Sequence, residues 1–266
     1  MSIRYKKDLG QHILKNPGII DTIIERANIL ETDTVLEIGS GTGNLTIKLL
    51  AKAKRVICYE KDERMAAELV KRVKSLNLCH KMKLFVGDCM KSDFPHFDLC
   101  VSNIPYQISS VLIFKLFGYN FRAAVLMLQH EFALRLVANP GNPDYSRLSV
   151  SAQLFSKVEY MFKVSRKNFN PMPKVESAVV RIRKRLEQPS INIEEFANFL
   201  RICFKRKNKT LSGVFGDKSV IKTVKKEKRE IAEILSVYGT KRANKLQVED
   251  FLQVFLNFKL RQTVFV

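Results

Sequence analysis

The sequence has few acidic residues and no long hydrophobic run. It contains 26 Asp and Glu residues against 46 Lys and Arg, which gives a formal net charge of +20 over 266 residues. A field of this sign concentrates polyphosphates or an anionic membrane surface. No stretch approaches the roughly 18 uncharged residues of a membrane span, and no signal-type apolar segment follows the basic residues 1–7. We therefore expect a nucleic-acid partner and no membrane association.

Metal-binding patterns are also missing. The five cysteines include no C-x-x-C pair, and the four histidines show no H-x-x-x-H spacing. Cys58 and Cys100 lie within apolar segments, where a thiol behaves as a small hydrophobic side chain. We expect reduced cysteines in the core and no bound metal.

Short β-branched segments alternate with amphipathic segments over the first two-thirds of the chain. This alternation indicates βαβ units and a mostly parallel sheet of α/β class, with the last strands able to pair antiparallel at its edge. The predicted strands are 34–38, 55–60, 82–86, 98–102, 122–128, 157–164 and 177–183. The predicted helices between the early strands are 18–27, 44–51, 63–75 and 109–117.

A change in composition near residues 187–190 indicates a linker. Only helical patterns follow it, at residues 193–204, 226–238 and 248–258. The sequence therefore predicts two domains, an α/β domain over residues 1–187 and a small helical domain over residues 188–266.

A glycine-rich turn joins the first predicted strand to the next helix in the sequence Glu37-Ile38-Gly39-Ser40-Gly41-Thr42-Gly43-Asn44. Glycines let backbone N–H groups approach a ligand closely, although a purely structural β–α turn would look the same. Asn44 stands where a dinucleotide-binding fingerprint has its last glycine, and Glu37, expected to face the crevice, would disfavour a pyrophosphate. The turn therefore favours a nucleoside with a cationic tail.

Polar residues end the next three strands, namely Glu60, Asp88 and Asn103. Glu60 can accept hydrogen bonds from both hydroxyls of a ribose, and Asp88 can accept one from an adenine amine. Each residue alone could be a turn or helix-cap residue. Because an open parallel sheet binds ligands outside the carboxyl ends of its strands, the ordered set indicates one nucleoside pocket.

The tetrapeptide Asn103-Ile104-Pro105-Tyr106 follows the fourth strand directly. An exocyclic adenine amine is a poor nucleophile because its lone pair is delocalised into the ring. The side-chain oxygen of Asn103 and the main-chain oxygen of Ile104 could accept hydrogen bonds from both N–H groups and favour a pyramidal nitrogen. Pro105 would fix the turn, and Tyr106 could stack on the base. An ordinary turn is the alternative, but the position at the end of the fourth strand, after Glu37, Glu60 and Asp88, favours methyl transfer to such an amine.

These motifs resemble the ribosomal RNA adenine dimethyltransferase family over nearly the whole chain. The similarity begins at residues 9–14 and includes the glycine turn, the tetrapeptide, and residues 145–150, 168–177, 204–211 and 241–243. It implies a Rossmann-like S-adenosylmethionine methyltransferase fold with a seven-stranded sheet. The methyl donor would be S-adenosylmethionine, contacted by His12, Leu14, Gly39, Glu60, Asp88 and Asn103. Phe169 would stack on the face of the target adenine opposite Tyr106.

The resemblance is to the eukaryotic branch, which dimethylates two adjacent adenines near the 3′ end of small-subunit rRNA. It implies an enzyme that acts on pre-ribosomal particles in the nucleolus, or in the cytoplasm if the source is prokaryotic. We expect a monomer, because no surplus apolar surface segment is evident in the sequence. Three alternatives stay open. They are a large-subunit rRNA adenine methylase, a non-catalytic nucleic-acid-binding paralogue, and a DNA adenine methylase, which the full-length similarity disfavours.

Two clusters of basic residues lie in the predicted helical domain. The segment Lys205-Arg206-Lys207-Asn208-Lys209 and the later basic run over residues 222–229 could both be solvated helix faces. The net charge of +20 favours phosphate contacts instead. We expect Lys205, Arg206, Lys207 and Lys209 to bind RNA without reading its sequence.

Overall fold

The structure, a computed structural model, describes residues 11–206 and 208–265. Its strands are β1 (Ile13–Leu14), β2 (Thr34–Ile38), β3 (Arg55–Glu60), β4 (Met82–Val86), β5 (Leu99–Asn103), β6 (Ala123–Gln129), β7 (Ser156–Val164), β8 (Phe169–Asn170) and β9 (Ser177–Lys184). Its helices are α1 (Pro17–Ala27), α2 (Asn44–Lys52), α3 (Glu63–Ser75), α4 (Ser109–Phe117), α5 (His130–Val137), α6 (Arg147–Phe155), α7 (Ile193–Cys203), α8 (Leu211–Phe215), α9 (Lys218–Val224), α10 (Lys228–Ile234) and α11 (Val248–Leu260).

A seven-stranded sheet has the strand order β4-β3-β2-β5-β6-β9-β7. The neighbours from β4 to β6 pair in parallel, with Leu36 opposite both Ile57 and Cys100. β9 pairs antiparallel with β6. The predicted α/β class and mostly parallel seven-stranded sheet are confirmed, and the predicted ends of the seven strands differ from the observed ends by no more than one residue.

The inner strands are continuous apolar segments, as expected for parallel strands covered on both faces. Val35, Leu99 and Val101 are fully buried. Side chains from the helices, including Ile23 of α1 and Leu49 of α2, join them in one hydrophobic cluster. Burial of this apolar surface fixes the sheet, and it holds the carboxyl ends of β2, β3, β4 and β5 side by side.

Residues 11–14, called here segment 11–14, are held in place by a separate two-stranded sheet. β1 pairs antiparallel with β8, with Ile13 opposite Asn170 and Leu14 opposite Phe169. The N–H of Lys15 extends the pairing by donating to the main-chain oxygen of Asn168 at 2.9 Å. The sequence did not predict these strands because two residues are too few to show an alternating pattern.

The described chain groups into two compact units, which differ from the predicted division at residue 187. The first consists of Met1–Ala133 and Lys157–Lys184, and the second of Leu134–Ser156 and Arg185–Val266. The chain enters the second unit again at Arg185, close to the predicted linker. Residues 134–156, however, group with the helical unit, because α6 packs against α7 and α11.

Long-range contacts within the second unit explain this grouping. The hydroxyl of Tyr145 donates to the main-chain oxygen of Leu246 at 2.9 Å, and both residues are buried. The Tyr145 ring also lies edge-on to Phe204 at 6.3 Å. The N–H of Gly141 donates to the main-chain oxygen of Asn244 at 2.7 Å. These contacts join residues about 60 to 100 positions apart, which a local hydrophobic pattern does not report.

Phenylalanine rings form the core of the second unit. Phe199, Phe255 and Phe258 are at most 1% exposed and pack on one another. The helices α7 and α11 that carry them have the predicted positions. The predicted helix over 226–238 is shorter in the structure, and the sequence missed α8 and α9 because helices of five and seven residues show too little periodicity.

We predict that Tyr145→Phe destabilises the second unit by about 1–3 kcal/mol, because it leaves the buried carbonyl of Leu246 without its donor. Urea unfolding followed by circular dichroism would measure the free energy of unfolding. Tyr238→Phe, which removes the hydroxyl of a half-buried tyrosine in the same unit, is the control and should have a smaller effect. Equal losses in the two variants would contradict the prediction.

Candidate active site

A cavity opens in the first unit at the carboxyl ends of β2, β3, β4 and β5. Its wall is formed by segment 11–14, the glycine turn, the ends of the strands and the tetrapeptide after β5. The predicted site residues that line it are His12, Gly39, Gly41, Glu60, Asp88, Asn103, Ile104, Pro105 and Tyr106. The structure therefore brings together the polar strand ends and the tetrapeptide around one space.

Four predicted site residues are not on the cavity wall. Leu14 is buried, and its main-chain oxygen accepts a hydrogen bond from Asn44 Nδ2 at 2.9 Å. Gly43 precedes α2 with a φ of +91°, a backbone conformation that favours glycine. Phe169 is 2% exposed and belongs to the hydrophobic core. The fourth is Glu37.

Glu37 does not face the crevice, contrary to the expectation from the sequence. Its side chain is 1% exposed, and the thiol of Cys58 donates to its Oε2 at 3.9 Å. Burial, together with a smaller contribution from the negative charge of Glu60, raises the pKa of Glu37 to about 8. The protonated form of Glu37 is therefore favoured at neutral pH, and its side chain is not part of the cavity wall.

Glu60 connects the glycine turn to the start of α3. Its Oε2 accepts from the N–H of Gly41 at 2.7 Å, and its Oε1 accepts from the N–H of Asp62 at 2.8 Å. Burial raises the pKa of Glu60. Arg64 holds the pKa of the neighbouring Asp62 well below its usual range, and Gln11 also donates to Asp62. Glu60 thus presents its carboxyl group at the cavity wall, while Asp62 is paired with Arg64.

Asp88 is half-buried on the wall after β4. Its carboxylate accepts from the N–H of Met90 at 3.0 Å and from Lys61 Nζ at 2.9 Å. These hydrogen bonds lower the pKa of Asp88, with the bond from Met90 contributing most. An ionised carboxylate with remaining lone pairs can accept a further hydrogen bond from a ligand amine.

The amide orientation of Asn103 is set by segment 11–14. Asn103 Nδ2 donates to the main-chain oxygen of His12 at 3.0 Å. Because the NH₂ group is used in this bond, Oδ1 is the atom presented as an acceptor. The N–H of Ile104 donates to the main-chain oxygen of Met127 at 3.1 Å, which fixes the first peptide of the turn. Gly39 allows the close approach of Pro105, because a Cβ there would lie 3.2 Å from Pro105 Cδ.

Tyr106 is held at both ends of its side chain. Its hydroxyl shares a hydrogen bond with Ser177 Oγ at 2.7 Å, and its ring stacks on the His12 ring with centroids 5.7 Å apart. Nδ1 of His12 donates to the main-chain oxygen of Pro171 at 2.8 Å. Burial raises the pKa of Tyr106, so its hydroxyl stays protonated at neutral pH.

The sequence analysis missed several residues of the site. Gln11, Lys61 and Cys89 line the cavity, and each is adjacent in sequence to a residue that was selected or lies in a selected motif. Lys61 and Cys89 could have been predicted from their positions just after the ends of strands. Ser177 lies in one of the segments that resemble the family, but nothing in that segment indicates contact with Tyr106.

Basic residues predicted to bind RNA lie in the second unit. Lys205 Nζ donates to Ser219 Oγ at 2.7 Å, and Arg206 pairs with Asp217 at 3.0 Å. Lys209 is exposed. Lys207, like residues 9 and 10 of the first family-like motif, lies outside the described residues. The structure thus places Lys205 and Arg206 next to the start of α9, where Ser219 and Asp217 lie.

All five cysteines are free, and Cys58 and Cys100 are fully buried, as predicted. Within residues 11–206 and 208–265, no group of three His, Cys, Asp or Glu side chains is arranged to hold a metal ion. In the same ranges no helix combines the length and the apolar character needed to cross a membrane.

A sequence profile described as ribosomal RNA adenine dimethylase matches residues 3–260. The chain belongs to this family. A probable dimethyladenosine transferase of Caenorhabditis elegans is 48% identical over 279 residues, which covers 97% of this chain and 91% of the relative. A ribosomal RNA small subunit methyltransferase of Arabidopsis thaliana is 50% identical over 236 residues, which covers 88% of this chain and 67% of the relative. The crystal structure of a dimethyladenosine transferase from Plasmodium falciparum matches with a TM-score of 0.89 and 42% identity, covering 96% of this chain and 100% of that one.

Membership of the family confirms the resemblance drawn from the sequence motifs. It also confirms the expected enzyme class, an S-adenosylmethionine-dependent methyltransferase that dimethylates adenine in rRNA. The observed cavity is lined by the tetrapeptide and by the polar residues that end the strands.

We predict that the wild type loses stability as the pH rises above neutral-acidic values because of Glu37, and that the Glu37→Gln variant lacks this loss. Because the pKa of Glu37 is raised from 4.5 to about 8, the folded protein keeps a proton that the unfolded chain releases in this interval. The stability of the wild type relative to the variant should therefore fall between pH 5.5 and 7.5, by up to about 1.4 kcal/mol per pH unit. Urea unfolding at several pH values would measure this difference, and parallel stability curves would contradict it.

Proposed function

We propose that this enzyme transfers methyl groups from S-adenosylmethionine to the 6-amino groups of two adjacent adenines near the 3′ end of small-subunit rRNA. The observation that carries the proposal is the hydrogen bond from Asn103 Nδ2 to the main-chain oxygen of His12, which leaves Oδ1 as an acceptor beside the cavity. The name of the Arabidopsis relative supports the small subunit as substrate.

The cavity wall fits the chemistry of the methyl donor. S-adenosylmethionine supplies an activated methyl group on a positively charged sulfur, and the carboxyl groups of Glu60 and Asp88 on the wall would favour a cationic ligand. Glu60 would accept from the ribose hydroxyls and Asp88 from the adenine amine, while His12, Gly39 and Gly41 complete the wall. Leu14, Glu37 and Gly43 would act from behind it, through the main-chain contact to Asn44 and the conformation of the glycine turn.

The tetrapeptide would prepare the target amine. Asn103 Oδ1 and the main-chain oxygen of Ile104 would each accept one N–H, which favours a pyramidal nitrogen whose lone pair points at the methyl group. Neither acceptor is a strong base, and none is needed, because the proton leaves after the nitrogen has gained positive charge. The contribution of the protein is therefore orientation and electrostatic stabilisation.

Tyr106 would stack on the extruded adenine, since its ring lines the cavity. The second stacking residue expected from the family, Phe169, stays a prediction. Its exposure of 2% and its place opposite Leu14 in the β1–β8 pairing do not support a free ring face in this conformation.

The second unit would bind the rRNA backbone. Lys205, Arg206, Lys207 and Lys209 are the proposed contacts, and the net charge of +20 supports them. The eukaryotic relatives support a nucleolar enzyme whose substrate is the small-subunit rRNA of a pre-ribosomal particle. We propose that it acts as a monomer.

We predict that the wild-type protein forms dimethyladenine in under-methylated small subunits and that Asn103→Ala slows this by about 100-fold or more. Incubation with methyl-labelled S-adenosylmethionine, followed by mass spectrometry of the rRNA, would map the modified bases. Asn257→Ala, the same substitution in α11, is the control and should retain full activity.

Large subunits and immature small-subunit particles should be assayed in parallel. Methylation confined to large subunits would replace the proposal with a large-subunit methylase. Donor binding without transfer to any of these particles would favour the non-catalytic paralogue.

We also predict that replacing Lys205, Arg206, Lys207 and Lys209 by Ala weakens rRNA binding and reduces its dependence on salt. Each lost phosphate contact should lower the slope of log affinity against log salt by about 0.9. Filter binding at several salt concentrations would measure both quantities. The control removes four exposed lysines of the first unit, Lys52, Lys54, Lys71 and Lys74, and so changes the net charge equally. Equal effects would mean that the charge acts without a defined contact surface.

A further inference from the structure

The orientation of Tyr106 depends on two contacts that involve different parts of its side chain. The hydroxyl shares a 2.7 Å hydrogen bond with Ser177 Oγ. The ring stacks on His12 with an interplanar angle of 30°. A tyrosine side chain has two rotatable bonds, so one contact at its end and one on its ring together restrict both.

Ser177 is a rigid support for the tyrosine hydroxyl. It is fully buried as the first residue of β9, and it lies opposite Gln129 in the antiparallel pairing with β6. The preceding residue, Glu176, is also fixed, because its main-chain oxygen accepts from the N–H of His130 at 2.9 Å. A buried hydroxyl needs a hydrogen-bond partner, and for Ser177 that partner is Tyr106.

The same stretch of chain also holds the His12 ring. The main-chain oxygen of Pro171 accepts from His12 Nδ1 at 2.8 Å, and Asn170 lies opposite Ile13 in the β1–β8 pairing. The chain from Pro171 to Ser177 therefore begins at a ring nitrogen of His12 and ends at the hydroxyl of Tyr106. Both rings take their positions from one connection between β8 and β9.

We propose that Ser177 is a positioning residue for methyl transfer, which acts through the hydroxyl of Tyr106 and fixes the tyrosine ring before the adenine enters. This inference rests on the proposed function, in which Tyr106 stacks on the target base. A ring already in place does not lose side-chain freedom when the base binds, so the amine reaches the donor in the correct geometry more often.

A double-mutant cycle on methylation of small subunits tests this inference. Ser177→Ala and Tyr106→Phe each remove one hydroxyl and keep the ring and the β9 backbone. Each should lower the methylation rate about tenfold, and the double variant should also lose about tenfold rather than a hundredfold, because both changes remove the same bond. The affinity for S-adenosylhomocysteine, followed by titration calorimetry, should change less than twofold.

Ser156→Ala is the matched control, because Ser156 is likewise a fully buried serine at the start of a strand, and its hydroxyl donates to the main-chain oxygen of Ala152. It should retain the wild-type rate. A hundredfold loss in the double variant, or an unchanged rate in Ser177→Ala, would overturn the inference while the wild type is active. A wild type that methylates no rRNA would overturn the proposed function and this inference with it.

Discussion

The hydrogen bond between Asn103 Nδ2 and the main-chain oxygen of His12 is the contact on which the site depends. It joins two residues 91 positions apart in the chain and selects which atom of the amide is presented as an acceptor. A flipped amide would present donors to an amine that itself needs acceptors, and the reaction chemistry would fail. The position of segment 11–14 is therefore part of the catalytic geometry, even though its side chains carry out no chemistry on the amine.

Segment 11–14 in turn depends on further contacts besides those of the His12 ring. β1 pairs with β8, Leu14 accepts from Asn44, and Gln11 donates to Asp62. These partners belong to three separate elements around the cavity, so the segment connects the glycine turn, the start of α3 and the β8 strand. The buried position of Phe169 follows from the same pairing, because it lies opposite Leu14. Exposure of the Phe169 ring to a base would therefore disturb the segment that orients Asn103.

The sequence predicted the sheet and the strand-end residues because both follow local rules. Apolar segments with regular spacing define the strands, and parallel strands place Glu60, Asp88 and Asn103 at one edge. The orientation of Glu37 could not be predicted, since alternation along a strand buried on both faces does not say which side faces a ligand. The contacts of Ser177 and Tyr145 were also beyond the sequence, because each joins distant residues through a single hydroxyl that leaves no periodic pattern.

The extent of the second unit also could not be predicted from local sequence patterns, because it depends on contacts between distant residues. A linker near residue 187 was visible in composition, yet residues 134–156 fold with the helices that follow it. Val150 and Leu154 of α6 are buried, and α7 and α11 pack against that helix. The helical unit is therefore not an appendage that can be removed at the linker, because its removal would expose the apolar face of α6. Three chain crossings link the units, and the segment that carries Tyr145 depends for its own stability on the residues beyond the linker.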